Sequence, residues 1–160
     1  MLKFFKKNKT LELASPITGN ILPIEEVPDK VFADKMIGDG LAIEPKKGKI
    51  LSPVDGTIVT IFPTNHAIGL QSKEGLEILI HIGLDTVELK GEGFNRILQE
   101  GEVVKKGDLL MEFDIEKIKE AKKSTITPII ITNMDKVKEI RKNSGEVEAG
   151  QQILFTVEMA

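Results

Sequence analysis

The chain has no cysteine, tryptophan or tyrosine among its 160 residues, and only two histidines. Without cysteine there is no disulfide, no thiolate metal site and no sulfur nucleophile. That usage fits a reducing cytoplasm. Phenylalanine is the sole aromatic, so a core must come from Ile, Leu and Val. No apolar run approaches the ~20 residues that cross a bilayer as a helix. The start, Met1-Leu-Lys-Phe-Phe-Lys-Lys-Asn-Lys9, holds too short an apolar stretch for a secretory signal. No Gly-x-x-x-x-Gly-Lys-Ser/Thr loop is present, which argues against a nucleotide as direct phosphoryl donor.

Charge is unevenly spread. Lys3, Lys6, Lys7 and Lys9 crowd the first nine positions with no acid, and the remaining 151 residues carry 18 bases against 25 acids. An acidic body argues against nucleic-acid binding, which needs a basic footprint, and suits a partner with a basic docking face. Residues 1–10 read as a flexible basic tail. Its lysines, with Leu2, Phe4 and Phe5, suit peripheral contact with an anionic membrane. Residues 11–160 read as one domain.

Short β-branched runs broken by glycine, proline or aspartate predict an all-β protein. Strands are expected at Thr10–Leu13, Gly19–Ile24, Gly40–Glu44, Lys49–Leu51, Gly56–Ile61, Ala67–Leu70, Glu77–Ile82, Glu88–Gly91, Leu109–Asp114, Ile129–Thr132, Gly145–Val147 and Ile153–Glu158. Helical periodicity marks Ile115–Ala121, after the N-cap Asp114, and Met134–Arg141. Ser15-Pro-Ile-Thr-Gly19 recurs as Ser52-Pro-Val-Asp-Gly56, and Gly101-Glu-Val-Val as Gly145-Glu-Val-Glu. The expected fold is an antiparallel β-sandwich with internally duplicated β units and two short helices. Biotinyl and lipoyl carrier domains use similar units, but neither Asp34-Lys-Met36 nor Met134-Asp-Lys136 sits in a modified-lysine context.

The two histidines, His66 and His81, flank a hairpin pattern centred on Ser72-Lys-Glu-Gly75. A loop centred between Lys73 and Glu74 places them directly opposite, on one face of the sheet. Opposed imidazoles suit phosphoryl transfer: a neutral Nε2 attacks phosphorus while Nδ1 donates to a fixed acceptor, and the second ring donates to phosphoryl oxygens. Two rivals use the same residues. Zinc is one, held by two imidazoles with a carboxylate and water, although His66 and His81 supply only two nitrogen ligands. A hydrolase built on Thr64, His66, His81 and Asp85 is the other, and it lacks an evident oxyanion-hole turn.

Thr64-Asn-His-Ala67, His81-Ile-Gly-Leu-Asp-Thr-Val-Glu-Leu-Lys-Gly-Glu-Gly-Phe94, Val31-Phe-Ala-Asp-Lys-Met-Ile-Gly-Asp-Gly40 and Ser124-Thr-Ile-Thr-Pro-Ile129 together carry a resemblance. The chain resembles the glucose-type enzyme IIA proteins of the bacterial phosphoenolpyruvate-dependent sugar phosphotransferase system, from about Leu13 to Val157. The resemblance implies a cytoplasmic phosphocarrier working at the inner face of the membrane and needing no cofactor. His81 would take a phosphoryl group from the phosphohistidine of HPr and pass it to a cysteine of the IIB domain. His66 would be the helper imidazole, Thr64 would orient it, and the Gly83 carbonyl would hold Nδ1 of His81. The implied docking patch comprises Val31, Phe32, Met36, Phe62, Leu79 and Val87, with Asp29 and Asp85 meeting arginine on HPr. Sugar specificity would lie with the partner domains.

Overall fold

A computed structural model describes residues 9–160. The predicted tail therefore lies largely outside the described residues, as does its suggested membrane contact. Thr10 is already the first residue of a strand.

The strands are β1 (Thr10–Ala14), β2 (Gly19–Pro23), β3 (Asp39–Pro45), β4 (Lys49–Leu51), β5 (Gly56–Ile61), β6 (Ala67–Ser72) and β7 (Glu77–His81). They continue as β8 (Phe94–Arg96), β9 (Val103–Val104), β10 (Leu109–Phe113), β11 (Thr127–Ile131), β12 (Val137–Lys142), β13 (Glu146–Val147) and β14 (Ile153–Met159). Two short helices accompany them, α1 (Lys30–Ala33) and α2 (Ile115–Glu120). All the pairings are antiparallel. Eight strands form one sheet in the order β13-β2-β3-β11-β7-β6-β5-β9, and two three-stranded sheets, β1-β14-β12 and β4-β10-β8, complete the sandwich.

Alternation along the central strands explains how the large sheet is covered on both faces. Leu41, Ile43, Ile78, Ile80, Ile129 and Ile131 join the main core with residues of the smaller sheets, such as Phe155 and Met111. The intervening Ala42 and Ile130 point the other way and pack with Ile24, Val27, Phe32 and Leu84, with Leu79 against them. This second cluster sits under α1 and the 3-10 turn Ile24–Glu26. It is the face on which His81, in step with Leu79, emerges.

The sequence repeat is a structural repeat. Ser15 Oγ donates to the Ile17 carbonyl at 2.8 Å, and Ser52 Oγ to the Val54 carbonyl at 2.7 Å. Gly19 pairs with Val147 and Gly56 with Val104. Both glycines are needed for close approach: a Cβ on either would lie 2.1 Å from a neighbouring carbonyl oxygen, of Glu44 or Gln71.

Two expectations fail. Met134–Arg141 is a 3-10 turn (Met134–Lys136) followed by β12: Val137 and Ile140 stand at a helical i, i+3 spacing, and both reach the core because the pairing with β14 shifts register between Val137 and Glu139. Glu88–Gly91 is not a strand: Thr86–Leu89 forms a 3-10 turn bounded by left-handed Asp85 (φ 57°) and Lys90 (φ 53°). The second helix is instead α1, four residues long and N-capped by Asp29.

Candidate functional site

His81 ends β7, and His66 lies in a bend just before β6. The hairpin register differs from the predicted one. Ala67, not His66, is opposite His81, because Ser72 N–H bonds the Leu76 carbonyl and leaves a three-residue loop, Lys73-Glu-Gly75. In a continuous strand that slip would turn His66 to the opposite face. His66 escapes this because it stands outside the ladder, after Asn65 in a left-handed conformation (φ 60°). The two rings still meet, with centroids 5.1 Å apart at 79°. The Ile82 N–H donates to the His66 carbonyl at 2.7 Å, tying the two backbones together.

The tautomer of His81 follows from its partner. Nδ1 lies 2.7 Å from the Gly83 carbonyl oxygen. A carbonyl only accepts, so Nδ1 carries the proton and Nε2 keeps its lone pair. Gly83 takes φ 73°, and a Cβ there would lie 2.5 Å from Thr86 Cγ2 and 2.7 Å from the Ser124 carbonyl oxygen. Only glycine fits. His66 Nδ1 is 2.5 Å from Thr64 Oγ1, a hydroxyl able to donate or accept.

Burial lowers the pKa of His66 to about 4, and the neighbouring charge on His81 adds to the effect. Burial also lowers the pKa of His81, against the opposing pull of the Gly83 carbonyl, Asp29 and Asp85. Both rings are therefore neutral at pH 7. His66 is 4% exposed, whereas His81 is half-buried and open to approach.

Four rings stand in a row: Phe32 to His81 at 5.0 Å, His81 to His66 at 5.1 Å, and His66 to Phe62 at 5.4 Å. Of the implied docking residues, Val31, Met36, Phe62 and Val87 are exposed, Met36 most of all at 71%. Leu79 is half-buried against the second core cluster. Phe32 corrects the sequence reading: at 4% exposure it is core beneath His81 and not part of an open docking surface. Asp29 Oδ1 accepts from the Val31 N–H at 2.9 Å, so it holds α1 in place as well as bearing charge near His81. Asp85 is exposed in its turn.

Sequence reasoning missed several residues here. Ile37, next to Met36, is a further exposed apolar side chain. Arg96 Nε donates to Asn65 Oδ1 at 2.9 Å and braces the bend that presents His66. Its rarity was the only signal, since the chain has just two arginines. Thr86 and Thr127 are completely buried beside Gly83. Among the described residues no three or more His, Cys, Asp or Glu cluster in a way that could hold a metal ion.

A family model described as phosphoenolpyruvate-dependent sugar phosphotransferase system, EIIA 1, matches residues 11–137. The chain belongs to this EIIA family. A glucose-specific EIIA component from Haemophilus influenzae is 51% identical over 154 residues, covering 95% of this chain and 93% of the relative. One from Oceanobacillus iheyensis is 50% identical over 153 residues, with the same coverage. Glucose permease IIA from Mycoplasma capricolum superposes with a TM-score of 0.88 at 40% identity, covering 96% of this chain and 99% of that one. The EIIA fold thus accounts for the sandwich. Among the described residues no helix is long and apolar enough to cross a membrane.

Proposed function

We propose that this EIIA chain carries a phosphoryl group between proteins on Nε2 of His81. The group would come from the phosphohistidine of HPr and go to a cysteine of the IIB domain of a sugar permease. Glucose is the sugar to test first, since the relatives above are named glucose-specific. The hydrogen bond from His81 Nδ1 to the Gly83 carbonyl carries the reading, because it leaves the free lone pair on Nε2 of a half-buried ring.

In the first step the Nε2 lone pair attacks phosphorus in line, and the bond from phosphorus to the donor's nitrogen breaks. The donor leaves as a neutral imidazole. The Gly83 carbonyl, with Asp29 and Asp85 nearby, stabilises the positive charge that develops on the His81 ring. For His66 to help, the Thr64 hydroxyl donates to Nδ1, and the Nε2 proton then points toward the phosphoryl oxygens. Both rings being neutral beforehand, no proton must be expelled before attack. The exposed Val31, Met36, Phe62 and Val87 suit a short-lived docking contact, and Asp29 and Asp85 suit a partner bearing arginine. The relay requires no cofactor. Zinc between the rings would take up the same Nε2 lone pair and block transfer, and two imidazoles are half the usual four-ligand set.

Labelling with phosphoenolpyruvate, enzyme I and HPr, then peptide mapping of the acid-labile product, tests the assignment. His81→Gln should take up no label, and label retained by that variant refutes the acceptor. His66→Gln should be labelled yet deliver poorly to IIB.

A further inference from the structure

The reactive tautomer of His81 depends on a glycine carbonyl, and a glycine at positive φ is the residue whose flanking peptides rotate most freely. Here both flanking peptides are clamped. In the Ile82–Gly83 peptide, the carbonyl accepts from Thr86 Oγ1 at 2.5 Å and the N–H donates to Thr127 Oγ1 at 3.3 Å. In the Gly83–Leu84 peptide, the Leu84 N–H donates to the Ser124 carbonyl at 3.0 Å, so that its own carbonyl is left facing His81 Nδ1. Thr127 Oγ1 gives its proton to the Thr125 carbonyl at 3.0 Å, which turns a lone pair toward Gly83. Both threonine side chains are fully buried, so no water replaces them without disturbing the core.

We infer that Thr127 and Thr86 are positioning residues for the transfer: they aim the Gly83 carbonyl so that the proton stays on Nδ1 of His81. Neither touches the imidazole. Thr127 acts from β11, 44 residues away in sequence. The inference rests on His81 being the phosphoryl acceptor, but its central readout does not. With the carbonyl free to rotate, the Nε2–H tautomer becomes competitive, and that form has no lone pair where phosphorus arrives.

The test is Thr127→Val in the full chain, uniform in shape but lacking the hydroxyl. Ring-nitrogen NMR at neutral pH on protein with nitrogen-15 histidine should show the Nδ1–H form dominating in the parent and a mixture in the variant. Phosphoryl acceptance from phospho-HPr should slow about tenfold or more. Thr127→Ser should restore both. A Thr127→Val protein with the parent's tautomer and acceptance rate overturns the inference. If Thr127→Val does not fold, Thr86→Val, which frees the Ile82 carbonyl, is read by the same two criteria. Label accepted by His81→Gln would sink the acceptor reading alone, since the tautomer measurement uses no phosphoryl donor.

Discussion

Replacing His66 by glutamine should flatten the acid side of the stability curve. Burial and the His81 charge lower the folded-state pKa of His66 from 6.5 to about 4. Between those two values the unfolded chain binds a proton that the folded chain refuses. Stability is therefore complete above the unfolded pKa and drains away as pH falls from 6.5 toward 4. At pH 5 the unfolded ring is almost fully protonated and the folded ring is about one-tenth protonated. The loss relative to pH 7 is then about 2 kcal/mol, and it approaches about 3 kcal/mol below pH 4. Urea unfolding of parent and His66→Gln at pH 5, 6 and 7 isolates this contribution, because the carboxylates titrate in both proteins. His81 adds a loss of the same sign in both, its pKa being lowered too. The parent should lose about 2 kcal/mol more than the variant from pH 7 to pH 5. Parallel curves would show that His66 is not held neutral by its surroundings.

The two phenylalanines in the ring row should separate. Phe32→Ala removes a core side chain 4% exposed and should cost roughly 3 kcal/mol or more in unfolding free energy. Phe62→Ala, at 36% exposure, should cost about 1 kcal/mol or less while weakening the complex with phospho-HPr. Equal stability losses in the two variants would contradict the burial argument. Gly83→Ala meets both a left-handed backbone and two close contacts, one of them a backbone carbonyl that cannot swing away. A destabilisation of roughly 2 kcal/mol or more is expected by urea titration, together with loss of labelling. An alanine variant as stable as the parent would mean that the turn has a second conformation.

Local pattern carried much of the fold. Lys49–Leu51 and Gly56–Ile61 are strands with the predicted ends, and α2 begins after Asp114, whose side chain accepts from the Lys117 N–H. These elements are bounded by punctuation that acts within four or five residues. The misread segments are those whose conformation is decided from far away. Val137–Lys142 is a strand because β14 pairs with it, and the 86–89 turn follows from left-handed residues that no periodicity announces. The strands β8 and β9 are too short to show a pattern. At the site, both histidines, Thr64 and Gly83 stand in motifs readable along the chain. The burial of Phe32, the brace from Arg96 and the clamp from Thr127 are contacts between distant segments, and apart from the scarcity of arginine neither composition nor local pattern gives a sign of them.

The duplication explains why the site has the form it has. Matching the repeats strand by strand, β2 corresponds to β5, β3 to β6, and β11 to β7. Registers then align Gly40↔Ile130 with Ala67↔His81, so the position that carries His81 in one half carries buried isoleucine in the other. That isoleucine packs with Phe32, the ring on which His81 rests. The chain leaving β2 forms the 3-10 turn and α1, giving Asp29, Val31, Phe32 and Met36, whereas the chain leaving β5 gives Phe62, Thr64 and His66. One copy thus supplies a platform and the other a polar bend, on either side of the same strand. Restoring symmetry by placing an imidazole at position 130 would bury a titratable ring in the second core cluster without building a second site, because the carbonyl turn at Gly83 and its threonine clamp exist only after β7.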